Sequence, residues 1–351
     1  MVLIVKPAEL QGLVGMKEAI DAIEQGYRES TEFPVINAPR RRVHSPAGVR
    51  VSNFPGGVHA LGVIGAQVRA ELVVQEGSNQ RYAHRAHPVH VLHDSNTGEL
   101  LAVLFGEIDE KTIGPSSLMA FRTAAASGVG FRHLVRKNAK KVGLFGTGGQ
   151  AVNQLWALKT ERPGIESVKV YGRDPDRRRA FADKWGPQFG IDITPVDSPD
   201  PLLDDVDVVM CATNTNVELF DGNRIVAGQH VTGIIGGNKQ LVQGGFLPRP
   251  RREIDDNVAR KADVIVTNLK ESMISEEQGD LYGPIQAGII SVDDVYELGD
   301  LATGSHPGRT SDDQITYHKN NNGTGASEMA LAMLAYKRAR EAGRGIEIDL
   351  G

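Results

Sequence analysis

One segment restricts the fold of this chain more than any other: an apolar strand that runs into a glycine-rich turn and then into a helix. The strand pattern covers Val142–Phe145, and the turn has the spacing G-x-G-x-x-A at Gly146, Gly148 and Ala151. After it, short runs rich in Val and Ile alternate with helical patterns as far as Lys319. Strands and helices that alternate in this way predict an α/β fold with a Rossmann-type, doubly wound parallel sheet.

The glycine turn has the chemistry of a dinucleotide site. Gly146 permits a tight turn, Gly148 lets backbone N–H groups approach a pyrophosphate, and Ala151 permits close packing of the helix on the sheet. The N-terminus of the helix favours the anion. The cofactor-binding candidates are therefore Gly146, Thr147, Gly148, Gly149, Gln150 and Ala151. The alternative is a tight strand–helix turn that binds no ligand.

The end of the next strand bears on which dinucleotide binds. NAD-binding proteins usually place Asp or Glu there on the ribose hydroxyls, whereas this chain has Gly172 followed by Arg173 and Asp174. A guanidinium suits a 2′-phosphate, so the sequence favours NADP(H). NAD(H) is the alternative, in which Arg173 only caps the next helix and Asp174 contacts the ribose. Thr213 and Asn214 are further cofactor-binding candidates, because they follow a strand at its carboxyl end.

Composition narrows the partners and the compartment. The formal net charge of −5 indicates no large basic surface, which argues against nucleic acid as a partner. A single cysteine, Cys211, excludes an internal disulfide. Neither a signal-peptide pattern nor an apolar run long enough to span a membrane is present, so we expect a cytoplasmic protein. Histidines recur at 84, 87, 90 and 93, but on a strand this spacing puts neighbours on opposite faces, so no metal site is expected.

The chain before the glycine turn is predicted to be mixed α and β. Val2–Val5 has the pattern of an edge strand, Met16–Ser30 of a helix, and His93–Leu104 of a β-hairpin. A helix of small residues follows and contains Arg122. A long cation among small residues is placed to reach into a pocket, and arginine holds a carboxylate through two parallel N–H bonds. Arg122 is therefore a candidate anchor for an amino-acid or keto-acid substrate.

Several spaced motifs resemble the ornithine cyclodeaminase/mu-crystallin family over nearly the whole chain. They are Arg122-Thr-Ala-Ala, the turn Gly146–Ala151, the strand–turn–strand segment His93–Ala102, and Glu297-Leu-Gly-Asp300. The resemblance implies an α+β substrate-binding and dimerisation domain at 1–124, an NAD(P)-binding Rossmann domain at 125–318, and a C-terminal segment at 319–351 that returns to the first domain. It also implies a homodimer, and hydride transfer between a nicotinamide and the Cα of an amino acid or imine.

The resemblance also assigns candidate roles on the substrate side. In the family an arginine after a P-x-R turn, a strand lysine and the R-T-A-A arginine hold the substrate carboxylate. Arg41 and Arg122 match the first and third, while the lysine position matches Arg69 or, alternatively, Gln67. Arginine does not release its proton at neutral pH, so Arg69 would bind the carboxylate without acting as a general acid. Cyclodeaminases carry Asp where this chain has Asn238 after a Gly-Gly pair, and an amide cannot take a proton from an amine.

These features favour an NAD(P)-dependent oxidoreductase that acts on an imine, ketimine, 2-oxo acid or amino acid with a small carboxylate-bearing skeleton. Its catalytic candidates are Arg41, Arg69, Arg122 and Asn238. One alternative is an ornithine- or lysine-type cyclodeaminase that keeps NAD bound and releases ammonia. Another is a non-enzymatic small-molecule binder that retains NADPH, as mu-crystallin does.

Overall fold

The chain forms two compact units. The structure, a computed structural model, describes residues 1–76, 79–109, 111, 113, 120–236, 239–245, 247–320 and 323–351. Unit 1 consists of Met1–Ala126, Lys239–Arg249 and Gly323–Gly351, and unit 2 consists of Ser127–Asn238 and Pro250–Asn322. None of the helices in the described ranges combines the length and the apolar character needed to cross a bilayer.

Unit 1 is built on a sheet of eight strands within the described residues. The strands are β1 (Val2–Val5), β2 (Arg41–His44), β3 (Val49–Val58), β4 (Val63–Glu76), β5 (Asn79–Arg85), β6 (Val89–Asp94), β7 (Leu100–Phe105) and, near the end of the chain, β16 (Ile346–Ile348). They lie in the order β16-β1-β7-β6-β4-β3-β2, with β5 paired to β4. The prediction that Val2–Val5 is an edge strand is wrong, because β16 pairs with it from the far end of the chain.

One face of this sheet is covered by the long C-terminal helix. The helices of unit 1 are α1 (Pro7–Leu10), α2 (Met16–Glu32), α6 (Lys239–Gln243) and α11 (Gly325–Glu341), and α3 (Ala120–Leu134) continues from unit 1 into unit 2. Helix α11 packs on β3 and β4 and beside α2. A Cβ on Gly325 would lie 1.8 Å from the Pro55 carbonyl oxygen, so only glycine permits this approach of helix to strand.

Unit 2 confirms the predicted Rossmann-type sheet. Its strands are β8 (Lys141–Phe145), β9 (Ser167–Tyr171), β10 (Asp192–Pro195), β11 (Val208–Cys211), β12 (His230–Gly233), β13 (Val264–Thr267), β14 (Val295–Glu297) and β15 (Thr316–Lys319). Its helices are α4 (Gly149–Glu161), α5 (Pro175–Phe189), α7 (Asp256–Lys261), α8 (Lys270–Ser275), α9 (Gly279–Gln286) and α10 (Leu298–Thr303). All neighbouring strands are parallel, in the order β10-β9-β8-β11-β12-β15-β13-β14.

The strand order of unit 2 has a switch point beside β8. The chain proceeds from β8 outwards through β9 and β10, and then returns to place β11 on the other side of β8. Doubly wound sheets bind ligands at such a switch point, beyond the carboxyl ends of the strands. All four residues of β11 are buried, as expected for a parallel strand that is covered on both faces.

Two histidines are buried in the core of unit 2. His230 Nδ1 lies 2.9 Å from Thr316 Oγ1, and His318 Nε2 lies 3.0 Å from Asn268 Oδ1. Burial lowers the pKa of both imidazoles, that of His318 to about 3, and the neighbouring charge of Lys319 lowers the His318 pKa further. Both side chains are therefore neutral in the folded protein at neutral pH.

We expect His318→Gln to reduce the acid sensitivity of the fold. The unfolded imidazole binds a proton below about pH 6.5 while the folded one does so only near pH 3. The contribution of this group to the free energy of unfolding is therefore fully present above the pKa of the unfolded state. It is lost as the pH falls from about 6.5 toward about 3. Between about pH 7 and 5 the loss from this one group is about 2 kcal/mol. Denaturant unfolding at both pH values measures it. His87→Gln, at an exposed histidine, is the matched control. A pH dependence in His318→Gln equal to that of the wild type would contradict the assignment.

Candidate functional site

The glycine turn of unit 2 adopts a backbone conformation that suits a dinucleotide. Gly146 has a φ of +115°, and its N–H donates to the Tyr171 carbonyl oxygen at 2.8 Å. A Cβ at this position would lie 2.4 Å from the carbonyl oxygen of Ala212, which follows β11. The turn is therefore held against both strands that flank β8, and only glycine fits it.

The N-terminus of α4 is open toward an anion. Gly148 is its N-cap, with no side-chain cap and no acidic residue in the first turn. Among the described residues, no atom lies within 4 Å of the position that a Gly148 Cβ would take. Ala151 is fully buried, and Gln150 Oε1 is buried without a hydrogen-bond partner in the described part of the chain. Helix N-terminal N–H groups beside open space fit a pyrophosphate.

The turn between β9 and α5 separates the roles of two adjacent candidates. Asp174 is the N-cap of α5 and accepts hydrogen bonds from the N–H groups of Asp176 and Arg177 at 2.9 and 3.2 Å. Arg173 is exposed. Arg178, in contrast, is buried and donates to the Gly172 carbonyl oxygen at 2.7 Å. Asp174 therefore caps the helix, and the Arg173 guanidinium is accessible to a ligand.

Thr213 and Asn214 follow β11 at the switch point. Asn214 is exposed, and Thr213 is half-buried with its hydroxyl donating to Glu253 Oε2 at 3.1 Å. The other oxygen of Glu253 accepts the N–H groups of Ile234 and Ile235 at 2.7 and 2.8 Å. One buried carboxylate thus holds the segments that follow β11 and β12.

Glu253 belongs to a buried charged cluster that the sequence analysis missed. Lys319 Nζ donates to Asp280 Oδ2 at 2.5 Å and lies 3.9 Å from Glu253 Oε1, and all three side chains have zero solvent exposure. Asp280 Oδ1 accepts the N–H groups of Glu253 and Ile254 at 2.9 and 3.2 Å. A lysine at the carboxyl end of a predicted strand was the available signal. Its carboxylate partners could not be identified, because they lie 39 and 66 residues away in sequence.

Unit 1 presents Arg122 as an incompletely paired buried cation. Its Nε donates to Glu328 Oε1 at 2.7 Å, and both side chains are at most 3% exposed. Its Nη1 and Nη2 are buried without a hydrogen-bond partner in the described residues. A Cβ on Gly323 would lie 2.3 Å from Arg122 Cζ, so the guanidinium rests on glycine backbone. Two parallel donors remain at the end of the side chain, which is the geometry that binds a carboxylate.

A polar row on β4 continues this site. Gln67 Nε2 donates to the second oxygen of Glu328 at 3.0 Å and lies 3.2 Å from His90 Nε2. Burial lowers the pKa of His90, so its ring is neutral and Nε2 accepts from Gln67. Arg69, two residues along the same face, has Nε 3.4 Å from Glu71 Oε1, and its Nε and Nη1 are buried without a hydrogen-bond partner in the described part. Gln67, Arg69 and Arg122 are therefore brought to one polar surface, with Glu328 joining two of them.

The remaining substrate-side candidates are placed differently. Arg41 opens β2 with an exposed side chain, whereas its neighbour Arg40 is 5% exposed. Asn238 lies outside the described residues. Glu328 was not predicted. It follows the rule that identified Arg122, since it is a charged residue among small ones at the start of α11. No group of three or more His, Cys, Asp and Glu side chains in the described ranges is arranged to hold a metal ion.

Comparisons with known proteins agree with these features. The profile of the Ornithine cyclodeaminase/mu-crystallin family matches residues 2–343. The chain belongs to this family. Among its relatives, a Delta(1)-pyrroline-2-carboxylate reductase of Bacillus cereus is 29% identical over 99% of both chains. An iminosuccinate reductase of Paracoccus denitrificans is 26% identical over 99% of this chain and 100% of its own.

A solved structure of the ornithine cyclodeaminase/mu-crystallin family has the same fold. The Delta(1)-pyrroline-2-carboxylate reductase of Thermococcus litoralis, in complex with NADH and L-proline, superimposes with a TM-score of 0.81. It is 26% identical and covers 99% of this chain and 100% of its own. The family profile and the shared fold therefore both extend over nearly the whole chain.

Proposed function

We propose that this protein is an NAD(P)H-dependent imine reductase that acts on a small 2-imino carboxylate. The observation that carries the proposal is the buried Arg122, whose two terminal nitrogens have no partner in the described residues. The glycine turn of unit 2, in the same chain, has a backbone geometry that would suit a dinucleotide. The names of the relatives support the proposal, because pyrroline-2-carboxylate and iminosuccinate are both imines next to a carboxylate.

The dinucleotide would be held by the Gly146–Ala151 turn and the N-terminus of α4, with Thr213 and Asn214 beside it. When bound, its nicotinamide supplies or accepts a hydride at the carbon that carries the substrate carboxylate. We propose NADP(H) as the preferred form, because the exposed Arg173 would bind a 2′-phosphate and Asp174 is engaged as a helix cap. NAD(H) is the alternative.

Arg122 and Arg69 would hold the substrate carboxylate, and Glu328 would orient Arg122. Neither arginine releases a proton at neutral pH, so the proton for the imine nitrogen comes from another group or from water. Asn238 would hold the substrate nitrogen or a water through its amide. An amide cannot take the proton of an attacking amine, which disfavours ornithine or lysine cyclodeamination.

Activity assays distinguish the three functions. Oxidation of NADH or NADPH with Δ1-pyrroline-2-carboxylate, or with a 2-oxo acid plus an amine, is the result expected for a reductase. Release of ammonia from ornithine or lysine without net oxidation of the nicotinamide would instead indicate a cyclodeaminase. Tight dinucleotide binding with no turnover across both substrate panels would indicate a binder.

We expect Arg122→Met to reduce kcat/KM for the imine by about 100-fold or more, because two charge-assisted hydrogen bonds are lost. Arg122→Lys should fall between this variant and the wild type, since a lysine keeps the charge but not the two parallel donors. Arg28→Met, in the half-buried part of α2, is the matched control. The kcat/KM values of the Arg40→Met and Arg41→Met variants show which of these two arginines contributes to substrate binding. A wild-type kcat/KM in Arg122→Met would exclude the carboxylate role.

A second prediction concerns the cofactor. Arg173→Ala should raise the KM for NADPH by about 10- to 100-fold, because a charge-assisted contact to the 2′-phosphate is lost, and leave the KM for NADH unchanged. Lys184→Ala removes an exposed charge further along α5 and should change neither value. Equal effects of Arg173→Ala on the two cofactors would argue against 2′-phosphate recognition.

We also propose that the face of the unit 1 sheet opposite α11 forms a homodimer. Val68, Val89 and Phe105 are aligned across β4, β6 and β7 on the face opposite α11. Val68 and Phe105 are each 38% exposed, Ile64 on the same face is 43% exposed, and Val43 on β2 is 67% exposed. A contiguous apolar sheet face of this kind marks an interaction surface, and the resemblance to a dimeric family favours a second copy of the chain.

Val68→Asp should therefore convert the dimer to a monomer, because a carboxylate would be buried against apolar side chains. Sedimentation velocity measures the change. Val226→Asp, which places the same charge at a 57% exposed valine of unit 2, should leave the dimer intact. A wild-type protein that sediments as a monomer, or a Val68→Asp variant that remains dimeric, would refute this interface.

A further inference from the structure

The charged cluster of unit 2 lies at the carboxyl ends of the parallel strands, beside the proposed dinucleotide site. Lys319 ends β15, Glu253 reaches the ends of β11 and β12, and Asp280 lies in the first turn of α9. Burying a lysine and two carboxylates is costly unless each charge is paired and hydrogen-bonded. The salt bridge between Lys319 and Asp280 satisfies two of these charges, and Glu253 is bound chiefly by backbone N–H groups and by Thr213.

Glu253 divides its two oxygens between two segments. Oε1 accepts the N–H groups of Ile234 and Ile235, and Oε2 accepts the Thr213 hydroxyl. Thr213 Oγ1 in turn accepts the N–H of Thr215 at 3.3 Å. In this arrangement the one hydroxyl hydrogen of Thr213 points into the protein, toward Glu253.

Thr213 is also adjacent to the glycine turn. Ala212, the residue before it, has its carbonyl oxygen 2.4 Å from the position that a Gly146 Cβ would occupy. The Thr213 hydroxyl is therefore one residue from the point at which β11 contacts the dinucleotide turn. A hydrogen of this hydroxyl that is not used by Glu253 would be available to an acceptor atom of the ligand.

The surroundings allow Glu253 to change its protonation state near neutral pH. Burial raises the pKa of its carboxyl to about 7, Lys319 opposes this shift, and Asp280 adds to it. Arg252 also faces the cluster, and its Nε lies 4.0 Å from Asp280 Oδ1. Cys211 and Tyr317 also face the cluster, but burial raises the pKa of both side chains, so they are neutral in this range.

We propose that Glu253 is a positioning residue whose protonation decides whether the Thr213 hydroxyl donates into the protein or toward a bound dinucleotide. With the carboxylate ionised, Thr213 donates to Oε2. When a proton is added at Oε2, that oxygen becomes the donor, Thr213 Oγ1 becomes the acceptor, and the Thr213 hydrogen turns to the ligand. Oε1 keeps the N–H groups of Ile234 and Ile235 in both states. The inference rests on the proposed dinucleotide site of unit 2.

The test is the pH dependence of dinucleotide affinity, measured by titration calorimetry of the full chain with NADPH and with NADH. Because the protonated form binds more tightly, the wild-type Kd should rise by about 2- to 10-fold as the pH increases through about 7, the value of one hydrogen bond. Glu253→Gln keeps an acceptor for the two backbone N–H groups and donates an amide N–H to Thr213. It should therefore bind tightly at all pH values.

Two variants at Thr213 provide the matched comparison. Thr213→Val has no hydroxyl and should bind weakly and without this pH dependence, whereas Thr213→Ser keeps the hydroxyl and should retain the wild-type pH dependence. Residues that only stabilise the fold would not give opposite affinities in Glu253→Gln and Thr213→Val. If Glu253→Gln fails to fold, the Thr213→Val and Thr213→Ser pair decides the question.

Hydrogen exchange gives a readout that does not depend on the ligand. The amides of Ile234 and Ile235 should remain protected in Glu253→Gln and lose protection in Glu253→Ala. A wild-type pH dependence in Glu253→Gln, or unchanged protection in Glu253→Ala, would overturn the positioning role while leaving the reductase proposal standing. Absence of dinucleotide binding at every pH would overturn both.

Discussion

The buried ion pair between Arg122 and Glu328 is the interaction on which the polar surface of unit 1 depends. It connects α3 to the first turn of α11, two elements that lie 206 residues apart in the chain. A guanidinium in an apolar environment needs compensation, and one carboxylate oxygen at Nε supplies only part of it. The pair therefore holds the arginine in one orientation, and within the described residues its two terminal nitrogens have no hydrogen-bond partner. The same carboxylate also orders Gln67, so a single acid on the C-terminal helix organises the polar surface of β4.

Close contacts between backbone segments make this arrangement possible. Gly325 lets the start of α11 approach β3, and Gly323 lets the guanidinium of Arg122 rest on the chain just before that helix. A side chain at Gly325 would clash with the β3 backbone, and one at Gly323 would clash with the guanidinium itself. Many glycines of this chain lie where two backbone segments come too close for a side chain. Gly146 is one example, because its turn lies against the end of β11.

Unit 2 also uses buried charged side chains, here to bind the polar groups at the ends of its parallel strands. Parallel strands bring their carboxyl ends to one edge of the sheet, and the polar groups of the segments that follow must be satisfied there. Glu253, Asp280 and Lys319 do this by joining β11, β12, β15 and α9 through one buried cluster. The segments that would contact a dinucleotide are thus held by side chains that themselves need not touch it.

Local patterns in the sequence determined the glycine turn, the alternation of strands and helices, and the placement of Arg122 among small residues, because each depends on neighbours within a few positions. The pairing of Arg122 with Glu328, of Lys319 with Asp280, and of Val2–Val5 with Ile346–Ile348 was decided only by the tertiary structure. The burial of Arg40 and the exposure of Arg41 were also decided there, because the local sequence does not fix which of two adjacent side chains points inward. Propensity and spacing act over a turn or a strand. The partner of a buried charge depends instead on which distant segment the tertiary fold brings next to it.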